Sequence, residues 1–377
     1  MAQVVTGQRL NPRAGPALIP AEELVSEWER ARSARPEYFQ RSGNQLQVWH
    51  CLQAENCLHQ NLWRGALFHM NQLVALEPNN IQYRMERAKI LCDHSLWGDA
   101  VPDIGKIIDG DPLNISHYLL LARAQAALTN DSAAFEAYTH AISLAESTNN
   151  FPVNELRAAY RERSGLLSRQ GRFDEALQDK LRAMGIPRRN SEAKSSDIDL
   201  DRYYNFGLDE DLHGFSGNNF SALPKGVQRL GAVEFDLRGI VQLANHGPLE
   251  GRCPTQVNDI PVGQKCRRIH FLHATGWGGS VSPGIVIGKY VLHFADGKTR
   301  DVEIRFAEDA LDWWDQSRTG AKPNRAAVAW SGKNALSEIR LFETDWENPE
   351  PDLVLRSLDF VSTMSPAAPF LLAVTLE

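Results

Sequence analysis

Small and apolar residues in the first half of the chain recur every 34 residues: Ala54, Ala66 and Pro78 are followed by Ala88, Ala100 and Pro112, and the series continues as Ala122 and Ala134. Neighbouring positions agree in type, with Leu73, Ile107 and Ala141 in one column and Val74, Ile108 and Ile142 in the next. Such a period predicts stacked helix pairs. Small residues at two fixed points let antiparallel helices approach closely, and Pro ends the second helix because it cannot donate the interior hydrogen bond. The closing runs are Leu76-Glu77-Pro78-Asn79-Asn80 and Ile108-Asp109-Gly110-Asp111-Pro112. A fourth unit is expected over Tyr160 to Gly185, where Ala176 follows Ala134 by 42 residues. The eight extra residues are assigned to a polar inter-repeat loop, Glu146-Ser147-Thr148-Asn149-Asn150-Phe151-Pro152.

These columns, together with the turn Gly171-Arg172-Phe173-Asp174-Glu175-Ala176, resemble the tetratricopeptide repeat over residues 47–190. The bulky aromatic expected early in each unit is replaced by His50 and Arg84 in the first two. Ahead of the array, residues 21–46 are read as a capping segment whose helix, Ala21 to Ala34, carries a Leu24, Trp28 and Ala31 stripe. Residues 1–20 hold three prolines and two glycines and are expected to be flexible.

Beyond the array the grammar changes. Residues 191–204 read as a polar linker. From 205 to 377 the chain carries short alternating segments. Tyr290 to Thr299 ends in an Asp296-Gly297 hairpin signal, and Val302 to Phe306 alternates again on the return. Further strands are expected at Val233 to Leu243, Arg268 to Ala274, Ala326 to Trp330, Ser337 to Phe342, Leu353 to Ser362 and Phe370 to Leu376. The fold class is therefore multidomain: an all-α helical-repeat solenoid followed by an all-β antiparallel sandwich. The segments Phe235 to Leu243, Ile260-Pro261-Val262-Gly263, Ile269 to Ala274, Asp312-Trp313-Trp314 and Trp346-Glu347-Asn348-Pro349 resemble a galactose-binding-like jelly roll. Similar domains trail tetratricopeptide arrays in some large bacterial signalling proteins, Ser/Thr kinases among them. The resemblance thus implies either a recognition module, with glycans one ligand class, or a regulatory tail linked to a kinase.

Composition narrows the choice. A formal net charge of −7 argues against nucleic acid, because binding to phosphates needs a basic surface. Cys51, Cys57, Cys92, Cys253 and Cys266 show no CxxC spacing and are odd in number, which fits reduced thiols in a cytoplasmic protein. No apolar stretch of membrane-spanning length and no signal-peptide core is present, so no membrane partner is expected. Phosphate-loop, HExxH and GxSxG motifs are absent, so a non-catalytic role without cofactor or metal is expected.

Candidate binding residues fall in two groups. The tetratricopeptide resemblance implies that first-helix residues line a concave face. Glu55, Lys89 and Arg123 form one column there, joined by His59, Asp93, Arg161 and Arg169. The basic members suit the acidic side chains or terminal carboxylate of an extended peptide partner. In the sandwich, Trp277, Trp313, Trp314 and His273 are candidate ligand residues for a glycan, since flat aromatic faces stack on sugar C–H surfaces. Trp277 and one of the Trp313/Trp314 pair are expected to be exposed. Asp197, Asp199 and Asp201 alternate like the opening of a calcium loop, but Arg202 stands where its Gly belongs and Leu208 where its Glu belongs, so a solvated acidic stretch is expected. His270 and His273, three apart on a strand, should point to opposite faces and share no metal. The reading that results is a protein-interaction scaffold, with carbohydrate recognition by the sandwich as the alternative.

Overall fold

The computed structural model describes residues 8–11, 15–36, 43–148, 152–314 and 322–377. From Ala21 onward the chain is all-α and then all-β, as its pattern predicts, and the chain divides into two compact units, residues 1–141 and 142–377. The helices are α1 (Ala21–Ala34), α2 (Gly43–His59), α3 (Trp63–Leu76), α4 (Ile81–Asp93), α5 (Trp97–Gly110), α6 (Ile115–Ala127), α7 (Asp131–Ser147), α8 (Val153–Arg169) and α9 (Phe173–Ala183).

In the first unit the repeat is written into the backbone as well as the side chains. Ala54, Ala66, Ala88, Ala100 and Ala122 are all fully buried, so each column sits where two helices touch. Asn61, Ser95 and Thr129, 34 apart, occupy the left-handed region at φ 57°, 61° and 60° and turn each first helix into its second. Asn80 and Asn114 cap the next helices by accepting the N–H of Tyr83 and of Ser116, both at 3.2 Å. Ala54, Ala66, Met70, Leu73 and Ile90 form one apolar layer, and Ala88, Leu91, Ala100, Ile104, Ile107 and Ala124 the next. In the first two units the early position, without its aromatic, pairs across the two helices instead. His50 Nδ1 lies 2.9 Å from His69 Nδ1, and at the equivalent positions Arg84 donates to Asp103 at 2.6 Å. Arg87 adds a bidentate grip on the same carboxylate at 2.6 and 2.7 Å.

One expectation for the flanks is corrected and one is met in part. Gln8–Asn11 (β1) pairs antiparallel with Gly15–Leu18 (β2), so residues 1–20 include a hairpin rather than being flexible throughout. Helix α1 forms as expected, but none of its residues is buried and Trp28 keeps 45% of its surface exposed.

The second unit starts at Ile142 within α7 and holds the fourth helix pair, α8 and α9, whose register matches the earlier ones shifted by 42 residues. Gly171 is left-handed at φ 74°, as Thr129 is. Ser164 stands where Ala122 predicts a small residue and donates to the Ala176 carbonyl at 2.8 Å. Arg163 repeats the bidentate grip of Arg87, on Asp179 at 2.6 and 2.9 Å. Part of the extra length is helix rather than loop, because α7 runs to Ser147 where the equivalent helices end three residues earlier. Asn149, Asn150 and Phe151 lie outside the described residues.

The sandwich consists of β3 (Phe206–Gly207), β4 (Gly226–Leu230), β5 (Val233–Leu237), β6 (Gly239–Gln242), β7 (Gln256–Gln264), β8 (Arg268–Gly276), β9 (Val286–Phe294), β10 (Thr299–Arg305), β11 (Ala327–Lys333), β12 (Glu338–Glu347), β13 (Leu355–Ser362) and β14 (Ala368–Leu376). A four-stranded sheet, β10-β9-β13-β7, faces a six-stranded one, β11-β12-β8-β14-β6-β3, β4 and β5 pair in a separate two-stranded sheet, and every pairing between these described strands is antiparallel. Phe271 of one sheet stacks on Tyr290 of the other at 3.9 Å. Strand β7 escapes sequence prediction because Pro261 interrupts it. An edge position and two register shifts accommodate that residue. Every residue of β14 is buried, its apolar run being covered on both faces. Ile198, Leu200, Tyr204, Leu208, Leu212, Phe220 and Leu223 join the same core, as do Leu181 and Ile186 from the helix pair.

Because Ala88 has no free surface, Ala88→Leu should force α4 and α5 apart and cost about 1–3 kcal/mol. Ala127→Leu, at an exposed position at the end of α6, should change stability by less than about 0.5 kcal/mol. Urea titration followed by helical circular dichroism measures both.

Candidate functional site

Three places gather candidate functional side chains. The first is the exposed face of the first helices. Glu55 and His59 on α2, Lys89 and Asp93 on α4, and Arg123 on α6 all reach solvent in the first unit. Glu55 and His59 approach to 4.0 Å, one helical turn apart. Met85, 39% exposed, and Leu58, 40% exposed, add apolar surface to the same helices. In the second unit Arg161 and Arg169 are exposed on α8. Exposed charge interleaved with apolar side chains on consecutive first helices can hold an extended chain by ion pairs and by burial at once.

The second place is the loop after β8. Trp277 takes a left-handed conformation, φ 55°, and its ring packs on His213 at 3.8 Å. The Gly278 N–H donates to Asp312 at 2.7 Å and holds the turn. Trp277 lines an open recess of about 450 Å³ with Asn245, Pro248 and Pro366. The other predicted residues do not join it. Trp313 is fully buried, 4.4 Å from the Phe220 ring, and is removed from the ligand set because no face of it reaches solvent. Trp314 is half-buried against Phe215 at 5.2 Å.

The third place is a cleft of about 350 Å³ lined by β9, β10 and β12 together with the segment around Asp309 and Arg325. His273 is at its floor, not on a surface, and is only 1% exposed. The Tyr290 hydroxyl lies 2.9 Å from His273 Nδ1, while Thr344 Oγ1 lies 3.1 Å and the Asp309 carbonyl 3.3 Å from Nε2. Asp309 accepts the Arg305 N–H at 2.7 Å and Arg325 at 2.6 Å. Asp301, Glu303, Asp345 and the half-buried Trp346 complete the wall. Asp301 pairs with Lys289 at 2.7 Å and Asp345 with Arg268 at 3.2 Å. Sequence reasoning missed Asp309, Arg325 and Thr344 because these residues come from three separate elements and follow no local pattern.

The alternating aspartates are corrected too. Asp197 and Asp201 are buried, and Asp199 and Asp201 hold the guanidinium of Arg238, which is 1% exposed, with Asp236 at 2.9 Å on its Nε. A cation already fills the arrangement. His270 and His273 point apart as expected, His270 toward Glu343 at 2.8 Å and Glu377 at 3.3 Å. Among the described residues, no cluster of three or more metal-ligating side chains is present and no helix is long and apolar enough to cross a membrane.

No protein-family model and no curated protein matches the chain. Among solved structures it is similar to MamA, at 19% identity over 38% of this chain and 73% of that one, with a TM-score of 0.34. It is also similar to MamA from Desulfovibrio magneticus RS-1, at 14% identity over 43% and 81% with a TM-score of 0.33. A third is YrrB, titled a TPR protein with an unusual peptide-binding site, at 17% identity over 34% and 62% with a TM-score of 0.29. Scores at this level do not bear on function.

Burial pushes His213 and His273 down from the ordinary 6.5 to about 4. The unfolded chain therefore binds more protons between those values, and stability falls as pH drops through the window, by on the order of 3 kcal/mol for each group at the lower end. His270 works in the opposite sense, raised by its hydrogen bond to Glu343, so its contribution is full below pH 6.5 and lost above its raised value. Among these histidines two act against one, and their net contribution is a lower urea midpoint for the second unit at pH 5 than at pH 7. His273→Gln should flatten that dependence.

Proposed function

We propose that the chain is a non-catalytic interaction scaffold. In this reading the tetratricopeptide helix pairs present their first-helix face to an extended peptide segment, and the sandwich, a jelly roll of the galactose-binding-like class, is a second recognition module. The observation that carries it is the contrast within each helix pair: Ala54, Ala88 and Ala122 are sealed inside, while Glu55, Lys89 and Arg123, one residue further on, are all outside. A rigid hairpin with an outward column of charge suits recognition of a partner that brings its own charges. Lys89 and Arg123 select acidic side chains, and Met85 and Leu58 supply apolar contact.

In affinity capture, Lys89→Ala combined with Arg123→Ala should abolish retention of an acidic partner, with folding checked by circular dichroism. Unchanged capture would refute the groove.

A second reading has one observation in its favour. The cleft over His273 combines an aromatic wall, Trp346, with hydroxyls and with carboxylates already matched to cations, Asp309 to Arg325, Asp301 to Lys289 and Asp345 to Arg268. An uncharged polyol can insert between matched pairs without leaving a charge unbalanced, and a sugar ring can lie on the indole. On this reading the glycan site is the cleft rather than the Trp277 loop. Trp346→Ala should then lower monosaccharide affinity at least about tenfold in calorimetry. Equal heats for the two proteins would end it.

A further inference from the structure

The seam of the first helix pair is closed by two imidazoles. His50 of α2 and His69 of α3 meet Nδ1 to Nδ1 at 2.9 Å. A step of 34 residues replaces them by Arg84 and Asp103, joined as an ion pair, and a further step by Tyr118 and Ala137. Of these three pairs, the first is the one whose polar contact turns on a proton exchanged near neutral pH.

The distance sets the proton count. At 2.9 Å one Nδ1 must donate and the other accept, so the contact survives with both rings neutral or with one of them charged. A second charge puts an N–H on each facing nitrogen, and the two hydrogens then point at each other. The surroundings do not offset this. His50 is only 8% exposed, and the rings about the contact are apolar. Trp49 stands 4.8 Å from His50 and 5.3 Å from His69, and Phe68 stands 6.4 Å and 5.1 Å from them. From α4, the ionisable groups that reach α2 and α3 are Tyr83, bonded to Gln47 at 2.7 Å and in contact with Cys51 at 3.6 Å, and Arg87, bonded to Asn71 at 3.0 Å and to Asp103. Among the described residues no carboxylate bonds to either imidazole, and the charge acting on His50 is that of His69. Burial, and then the field of His69, lower the His50 pKa from the ordinary 6.5.

We propose that the His50–His69 contact is an acid-sensitive latch: proton uptake releases α2 from α3 and shortens the array by one helix pair, so that α4 and α5 become its end. The sign follows from where the proton binds. The closed pair holds His50 at reduced proton affinity, so the opened pair binds one proton more as pH falls below 6.5, and opening gains up to about tenfold per pH unit. This holds whatever the first-helix face binds.

Hydrogen exchange of the full chain, read by mass spectrometry and corrected for the intrinsic effect of pH, tests the latch. Between pH 7 and pH 5 the protection of α2 and α3 should fall at least about tenfold, while that of α4 and α5 should change by less than about threefold. His50→Phe supplies the aromatic that the repeat expects and should remove the extra loss. His50→Arg with His69→Asp imports the contact of the second pair and should do the same, so that a failure of one variant to fold leaves the other as the test. Equal loss in the unaltered protein and in a folded variant would overturn the latch. Unchanged protection of α2 and α3 between the two pH values would overturn it too.

Discussion

Close approach of two helices at a residue without a large side chain is the contact on which the first half of the molecule depends. Ala54 with Ala66, Ala88 with Ala100 and Ala122 with Ala134 are each separated by twelve residues, and Ser164 with Ala176 keeps the same interval. That interval spans one helical arm, a turn and the start of the returning arm. When both ends are small, the backbones can meet and the larger Leu73, Leu91, Ile104 and Ile107 fill the layers between pairs. Residues next to the seam then have no choice of direction. Glu55, Lys89 and Arg123 are pushed outward because their neighbours are locked inward.

Charge inside the helix pairs follows a different rule. Asp103 is wholly buried and would be costly alone, but Arg84 and Arg87 satisfy it, and Arg163 does the same for Asp179. The Arg238 network of Asp199, Asp201 and Asp236 repeats the arrangement in the sandwich. Such pairs add little net stability compared with apolar residues, but removing one member leaves a stranded charge. They therefore favour one register of packing over others.

The glycine seam joins the last helix pair to the β structure. Gly207 and Gly239 allow contacts with Met184, Ile186 and Tyr204 that any side chain would block, and Leu181 and Ile186 share the sandwich core. The fourth helix pair is thus packed directly against the β structure of its own unit.

Much of the array was legible in the residues alone, because its physics is local and periodic: the 34-residue interval, the small columns and the closing prolines each act through neighbours in one hairpin. Alternation likewise marked β8, β9, β10, β13 and β14, where one or both faces are covered. Tertiary structure alone decided what depended on distant partners. Asp199 and Asp201 read as solvated until Arg238, 37 residues beyond Asp201, is brought between them. Trp313 and His273 read as surface candidates until the second sheet and Phe220 cover them. The cleft unites His273, Asp309, Arg325 and Thr344 from four stretches of chain, and no spacing rule connects residues whose proximity exists only after two sheets have packed.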